Sequence, residues 1–103
     1  MTRMLTVATV LLLIVTPLFA ADGAALFKTN CAACHGPNGA GETPAGKMLK
    51  VKVLGSAEVQ KLTDAELTKT ISDGKGKMRA FKDKLSADDI KALVAFVRTF
   101  AQK

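Results

Sequence analysis

The sequence is poor in the residue types that mark several large classes of protein. It has no Trp and no Tyr, only two Cys, three Pro and one His, and 5% of its residues are aromatic. Two cysteines are too few for a disulfide-rich scaffold, and 103 residues are too few for a multidomain enzyme. The chain also lacks an internal repeat, a low-complexity tract and an alternation of strand and helix patterns. It is therefore one small domain without βαβ units.

What the sequence does contain is apolar and basic. Hydrophobic residues make up 49% of the chain and charged residues 23%, with 15 Lys and Arg against nine Asp and Glu, which gives a net charge of +6. This composition is typical of a folded domain rather than of a disordered chain. Part of the apolar content lies near the amino terminus, so the folded part has a smaller core than the overall percentage indicates.

Residues 1–20 show the three-part pattern of an export signal. Arg3 supplies a positive charge, an apolar run follows, and a proline and small residues come at the end. The run is shorter than the roughly 20 apolar residues that cross a bilayer. We therefore predict cleavage after Ala20, a periplasmic location and a mature domain of residues 21–103. Because Leu18 stands where a smaller residue is usual, an uncleaved membrane anchor is the alternative.

A mature domain of this size has a marginal core of its own. Its net charge would be about +5, since Arg3 is lost with the signal and every acidic residue is kept. Small domains of this kind are commonly stabilised by a disulfide, a metal or a large bound cofactor. The residues that hold such a group should be visible in the sequence.

The first half of the mature domain predicts one helix and long loops. Asp22 is a helix N-cap, and the helix continues through about Cys31. Residues 36–46 are rich in Gly and Pro and predict a loop without regular structure. Residues 49–53 alternate apolar and basic side chains, but no second alternating run exists to pair with them. An isolated extended segment is expected there.

The second half contains clear signals for helix starts. Ser56 begins a short helical turn over residues 57–60, and Thr63 opens a capping box for a helix that ends at Gly74. Ser86 begins a last helix, whose apolar residues follow helical spacing to the end of the chain. Three principal helices joined by long loops predict an all-α fold.

Both cysteines and the only histidine fall in one motif, Cys31-Ala32-Ala33-Cys34-His35. This C-x-x-C-H spacing is that of c-type haem attachment. Cysteines three residues apart lie on one face of a helical turn, so both thiols can reach the two vinyl groups of one porphyrin. The next residue then faces the iron. One covalently bound haem c would supply the apolar body that the small domain lacks.

Two other uses of the cysteines stay open at this point. An exported protein permits a disulfide between Cys31 and Cys34, although a thioredoxin-like site needs a βαβ context that is absent from the sequence. The second use is zinc binding, although a structural zinc site needs about four protein ligands and the chain offers only two Cys and one His.

The mature chain resembles small bacterial class I cytochromes c. The resemblance rests on Leu26 to His35, the Gly-rich loop that follows, the string Gly-Lys-Gly-Lys-Met at 74–78 and the helix start within 85–98. It covers nearly the whole of residues 22–103. It implies the cytochrome c fold, in which three principal helices surround one covalently attached haem. It also implies that the first and last helices cross closely near Gly23, Phe27 and Phe96.

The expected iron ligands are inferred from the chemistry of imidazole and from the family resemblance. A neutral imidazole is a standard haem ligand, so His35 is expected to bind iron through its outer ring nitrogen. The resemblance implies that the inner nitrogen donates to a carbonyl in the Pro44 region, and that Met78 is the sixth ligand. Met48 has no such support, and buried methionine is more often core than ligand. The family commonly has Pro after this Met, whereas Arg79 stands here, which predicts a looser loop.

Lysines are frequent on both sides of the expected haem edge, in segments predicted as loops: Lys47, Lys50, Lys52, Lys75, Lys77, Lys82 and Lys84. They form either a solvated surface or a surface that steers an acidic redox partner. Nucleic-acid binding is disfavoured, because no aromatic stacking platform accompanies the lysines. Membrane contact is expected only through an uncleaved signal, and a monomer is expected.

Together these features predict a periplasmic monohaem cytochrome that carries single electrons between redox partner proteins. It would be a carrier rather than an enzyme, because protein ligands at both axial positions leave no place for a substrate on the iron. The alternative is a haem module that binds a gas or a peroxide at the iron, should Met78 be displaced. Arg79 is the only support for that alternative in the sequence.

Overall fold

The computed structural model describes residue 9 and residues 22–101. The predicted cleavage site after Ala20 lies outside the described residues, as does the predicted signal apart from residue 9. Six helices follow one another: α1 (Gly23–Asn30), α2 (Ala32–His35), α3 (Pro44–Leu49), α4 (Ala57–Gln60), α5 (Asp64–Asp73) and α6 (Ala87–Arg98). The described part contains no strand, and its three longest helices, α1, α5 and α6, are the three predicted. The all-α prediction is confirmed.

Polar side chains begin the predicted helices as expected. The N-caps are Asp22 for α1, Ser56 for α4, Thr63 for α5 and Ser86 for α6. The caps of α5 and α6 are complete capping boxes, in which the third helical residue also accepts from the cap backbone. These starts were predictable because each signal lies within four residues of sequence. Of residues 22–101, none belongs to a helix long and apolar enough to pass through a membrane.

The Gly- and Pro-rich segment departs from the prediction, because α3 begins inside it. Thr43 caps α3 by accepting a hydrogen bond from the Gly46 backbone at 2.9 Å, and Pro44 occupies the first helical position. Proline is favoured there because its missing N–H would have no helical partner. The predicted extended segment also begins inside α3, and only 51–53 lack helix or turn. The prediction of an irregular loop over 36–46 is therefore wrong from Pro44 onward.

The end of the first helix agrees with the prediction to within one residue, whereas the end of the last helix differs from it. The first helix ends at Asn30, and Cys31 has a non-helical backbone (φ −121°, ψ −33°) that separates α1 from α2. The last helix ends at Arg98 with Thr99 as its C-cap, so Ala101 lies outside it.

The core lies where α5 and α1 meet α6. Its buried apolar residues are Phe27, Val59, Leu67, Ile71, Phe81, Leu85, Ile90, Leu93, Val94 and Val97. At the crossing of α1 and α6, a Cβ added to Gly23 would overlap the Ala92 carbonyl oxygen and lie 3.0 Å from Phe96 Cβ. The Phe27 and Phe96 ring centroids are 5.3 Å apart. The close crossing implied by the resemblance is confirmed.

Candidate functional site

The five residues of the attachment motif form one compact turn at the end of α1. The Cys31 backbone N–H donates to the Phe27 carbonyl at 2.8 Å, which ties the turn to the core. The N–H groups of Cys34 and His35 both donate to the Cys31 carbonyl, at 3.2 and 2.9 Å. Backbone hydrogen bonds therefore hold the two cysteines and the histidine side by side.

Both cysteine side chains are half-buried free thiols. Burial raises the pKa of the Cys31 thiol to about 11, so this group is a neutral thiol at neutral pH rather than a thiolate. A disulfide between Cys31 and Cys34 is not formed. Across residues 22–101, no three or more His, Cys, Asp and Glu side chains are grouped to hold a metal ion. The turn thus presents two free thiols.

The His35 ring is half buried and belongs to the same turn as the two thiols. Burial lowers its pKa, because removal from water disfavours the imidazolium form, and the neutral ring is the form that binds a metal. Its Nδ1 atom is buried without a hydrogen-bond partner in the described part of the chain. The expected bond from this nitrogen to a carbonyl of the Pro44 region is therefore wrong for this structure.

The Pro44 region contacts the backbone of the motif instead of the histidine ring. The Thr43 hydroxyl donates to the Cys34 carbonyl at 2.9 Å. Gly46, one turn into α3, packs so closely that a Cβ there would overlap the same carbonyl oxygen. Sequence reasoning missed this support for the attachment turn. A Thr-Pro pair that marks the start of a helix was the signal that could have revealed it.

Met78 lies outside this turn, in a second turn that follows α5. Lys75 and Met78 exchange two backbone hydrogen bonds of 3.1 and 3.0 Å, which close the turn. Gly74 begins it at φ +76°, and a Cβ there would lie 2.6 Å from the Met78 carbonyl oxygen. The segment predicted as a flexible basic loop thus has a defined, closed backbone. The Met78 side chain is half buried and packs against the hydrophobic core, as Cys31 does.

The other methionine of the described chain has a different environment. Met48, on α3, has 78% of its surface exposed. A side chain so exposed is neither core nor in an enclosed site, which separates Met48 from Met78. The structure therefore brings Cys31, Cys34 and His35 into one turn, places Met78 on the shared core and leaves Met48 at the surface.

The lysines singled out in the sequence are all exposed: Lys47, Lys50, Lys52, Lys75, Lys77, Lys82 and Lys84. Lys47 lies in α3 rather than in a loop, and Lys50 is the C-cap of that helix with a left-handed backbone (φ 55°). Lys52 pairs with Glu58 at 2.8 Å, and this ion pair lowers the pKa of the Glu58 carboxyl. Within residues 22–101, the other six lysines of this set form no ion pair.

Sequence comparisons place these features in a known family. The family described as cytochrome c oxidase, cbb3-type, subunit III matches residues 19–97. Cytochrome c6 of Leptolyngbya boryana is 38% identical over 84 residues, which cover 82% of this chain and 95% of that protein.

Solved structures agree with the sequence comparisons. The KustC0563 c-type cytochrome is 36% identical with a TM-score of 0.73, over 79% of this chain and 99% of that one. Cytochrome c6C from Synechococcus sp. PCC 7002 is 29% identical with a TM-score of 0.62, over 79% of this chain and 95% of that one. Relatives of this kind are electron carriers rather than enzymes. This chain therefore belongs to the c-type cytochromes, as a small class I monohaem electron carrier with the cytochrome c fold and a covalently bound haem c.

Proposed function

We propose that this cytochrome is exported and carries one electron at a time between redox partner proteins, with its haem attached through Cys31 and Cys34 and its iron bound by His35 and Met78. The attachment turn carries the proposal. It contains two free thiols and, in the same turn, an imidazole whose Nδ1 has no partner in the described chain. Two thiols and an imidazole in one turn are the groups to which a covalently attached haem would be linked.

The surroundings of these residues fit a large apolar cofactor. Cys31 and Met78 both pack against the hydrophobic core, so an attached group would extend that core and be sheltered from water. When bound, haem c supplies an iron that takes up and releases a single electron. The role of the chain is to hold the ligands in place. The Thr43 hydroxyl and the Gly46 contact hold the backbone of the attachment turn from one side.

The closed turn at Met78 favours the carrier over a gas- or peroxide-binding module. Its two backbone hydrogen bonds and its contact with the core hold Met78 in place although Arg79 follows it. Thioether ligation together with imidazole raises the reduction potential relative to two imidazoles. A methionine held in this way would leave no open position on the iron for a gas.

The proposed partner surface is acidic, and the proposed location is the periplasm. Exposed lysines and the net charge of about +5 left after removal of the signal would attract an acidic protein and speed its association. Residues 1–20 are proposed to be the export signal and 21–103 the mature monomeric domain. The mass of the exported, purified protein tests this directly. It should equal residues 21–103 plus one haem, and a retained signal would instead support an anchor.

The axial ligand is tested by a matched pair of methionine variants. We expect the oxidised wild-type protein to show the weak long-wavelength band of sulfur bound to ferric iron. Met78→Ala should abolish this band, because the sulfur is lost from the iron. Met48→Ala should keep it, since that side chain is 78% exposed. Persistence of the band in Met78→Ala would remove Met78 from the site.

A further inference from the structure

Large apolar side chains protrude from the described surface at two positions, and both lie in one segment. Met48 is 78% exposed and Val53 is 39% exposed. We call residues 47–53 the Met48 surface. Single exposed apolar residues are ordinary on a soluble protein. This segment differs in three respects. Met48 lies on a helix that packs against the attachment turn, its side chain is directed outward, and the lysines beside it are unpaired in the described chain.

The outward direction of Met48 follows from the packing of α3. Gly46 faces the Cys34 carbonyl at a distance that excludes a side chain. Residues of a helix are about 100° apart around its axis, so Met48, two residues later, lies about 200° away, on the opposite side. The same helix is tied to the attachment turn by the hydrogen bond of Thr43 to Cys34. A protein that contacts Met48 would therefore lie against α3, whose N-cap residue is hydrogen-bonded to Cys34.

Within residues 47–53, every charged side chain is a lysine. Lys47 and Lys50 flank it, both are exposed, and neither has a carboxylate within 4 Å in the described part of the chain. Lys52 is also exposed, but it is paired with Glu58. The other lysine-rich segment, residues 75–84, exposes basic side chains without an exposed large apolar residue. The two basic regions are therefore not equivalent.

We infer that the Met48 surface is the contact through which the redox partner docks, with Met48 seated in an apolar depression of the partner and Lys47 and Lys50 facing carboxylates at its rim. This inference rests on the proposed function. Methionine suits such a contact because its unbranched, polarizable side chain adapts to an irregular surface. A second copy of this chain is disfavoured as the occupant, because it would bring the same lysines into opposition. In the docked pair one electron leaves the ferrous protein, which is oxidised, and reduces the partner, with no bond made or broken.

A chemically defined surface can stand in for the partner in the test. Gold electrodes are coated either with carboxylate-terminated chains alone or with a mixture of carboxylate- and methyl-terminated chains. Voltammetry of the holoprotein then measures the amount of bound protein and the rate of electron exchange with the electrode. Wild-type protein should bind the mixed surface more tightly than the carboxylate surface. Met48→Gln should bind the mixed surface roughly tenfold more weakly, since it removes most of one buried apolar side chain. Met48→Leu should retain the binding.

Paired charge variants separate the two basic regions. Lys47→Gln with Lys50→Gln removes two charges at the Met48 surface, and Lys82→Gln with Lys84→Gln removes two from the other segment. At low ionic strength the first pair should slow adsorption to the mixed surface several-fold more than the second, because its charges lie beside the contact. Equal slowing by the two pairs would contradict the placement of the contact.

The outcomes distinguish a failure of this surface from a failure of the carrier function. A reversible one-electron wave for wild type, with equal binding by Met48→Gln, would overturn the surface and leave the carrier standing. Met48→Leu keeps an apolar side chain, so a loss of binding in this variant as well would overturn the proposal that the contact is apolar. A dimer of the wild type that dissociates in Met48→Gln would make a second copy the occupant and overturn the proposal. The absence of a reversible wave in wild type would contradict the proposed function itself.

Discussion

Gly46 occupies the point where α3 meets the attachment turn, and the space there admits no side chain. A Cβ on Gly46 would overlap the Cys34 carbonyl oxygen and lie 2.6 Å from the Gly41 carbonyl oxygen. Both obstacles are backbone atoms, which cannot rotate away. Gly46→Ala should therefore lower the free energy of unfolding of the holoprotein by about 2–3 kcal/mol, measured by urea denaturation.

The matched control for this prediction is Gly76→Ala. A Cβ on Gly76 would have nothing within 4 Å, although its φ of +57° disfavours a side chain. The expected loss is about 1 kcal/mol, from the left-handed backbone alone. Equal losses for the two variants would show that the close approach of α3 to the attachment turn does not stabilise the protein.

At the residue scale, the sequence was informative where the chemistry is local. Cys31, Cys34 and His35 could be identified because their spacing alone encodes the haem-attachment motif. The lack of a hydrogen-bond partner for His35 Nδ1 in the described chain could not be predicted from the sequence, since it depends on how the Pro44 region packs. That region contacts the Cys34 backbone rather than the histidine ring.

Arg98, at the end of α6, joins three elements through its guanidinium group. It donates to the Gln60 and Leu62 carbonyls at 2.8 and 2.6 Å and to Asp64 at 2.8 Å. These carbonyls lie at the end of α4 and in the link to α5, where helical partners are missing. Arg98→Ala should lower the free energy of unfolding by about 1.5–3 kcal/mol, because charged hydrogen bonds to partly buried groups are lost.

Two further variants give this prediction its control. Arg98→Lys should restore only part of the loss, because an ammonium group lacks the planar fork that reaches both carbonyls and Asp64. Arg79→Ala removes an exposed arginine that makes no side-chain hydrogen bond or ion pair in the described chain, and it should be nearly neutral. A neutral Arg98→Ala in chemical denaturation would contradict the role of this contact.

At the scale of elements, helix starts were predictable and one helix was not. Thr63 and Ser86 carry capping boxes, whose signals are complete within four residues. Helix α3 was hidden by the glycines and prolines around it, which normally indicate a loop. It forms because the Thr43 cap and the packing of Gly46 on the attachment turn outweigh the local propensity. Tertiary contacts of this kind have no short sequence signature.

We expect the domain as a whole to depend on its cofactor for a sufficient core. Among residues 22–101 the buried apolar side chains are few, and Leu93 is the one large side chain with less than 2% of its surface exposed. A double variant, Cys31→Ala with Cys34→Ala, would be unable to attach haem. We expect it to lose cooperative thermal unfolding and most of its helical circular dichroism, because small domains without such a group are marginal. Met48→Ala, which leaves the attachment turn intact, should unfold like wild type.

The contrary result for the double variant is equally clear. A haem-free chain that keeps its helices and unfolds cooperatively near the temperature of the holoprotein would show that α1, α5 and α6 form a sufficient core alone. The crossing of α1 and α6 at Gly23 and Phe96 would then be the main source of stability.

At the scale of the whole molecule, the sequence predicted the class of the fold but not its geometry. Helical spacing and caps predicted three principal helices, and the attachment motif predicted the haem. The crossing of α1 and α6 came from the family resemblance, because it depends on Gly23 meeting the Ala92 backbone across the length of the chain. Periodicity shows which face of a helix is apolar but does not identify the helix that covers it.

The most direct test of the central claim is the addition of carbon monoxide to the reduced holoprotein. We propose that His35 and Met78 both would bind the iron of the attached haem, so that the protein would carry electrons and bind no small ligand. We expect low-spin absorption bands that do not move when carbon monoxide is added. A prompt spectral shift would show an open or easily opened position on the iron and would contradict the electron-carrier account.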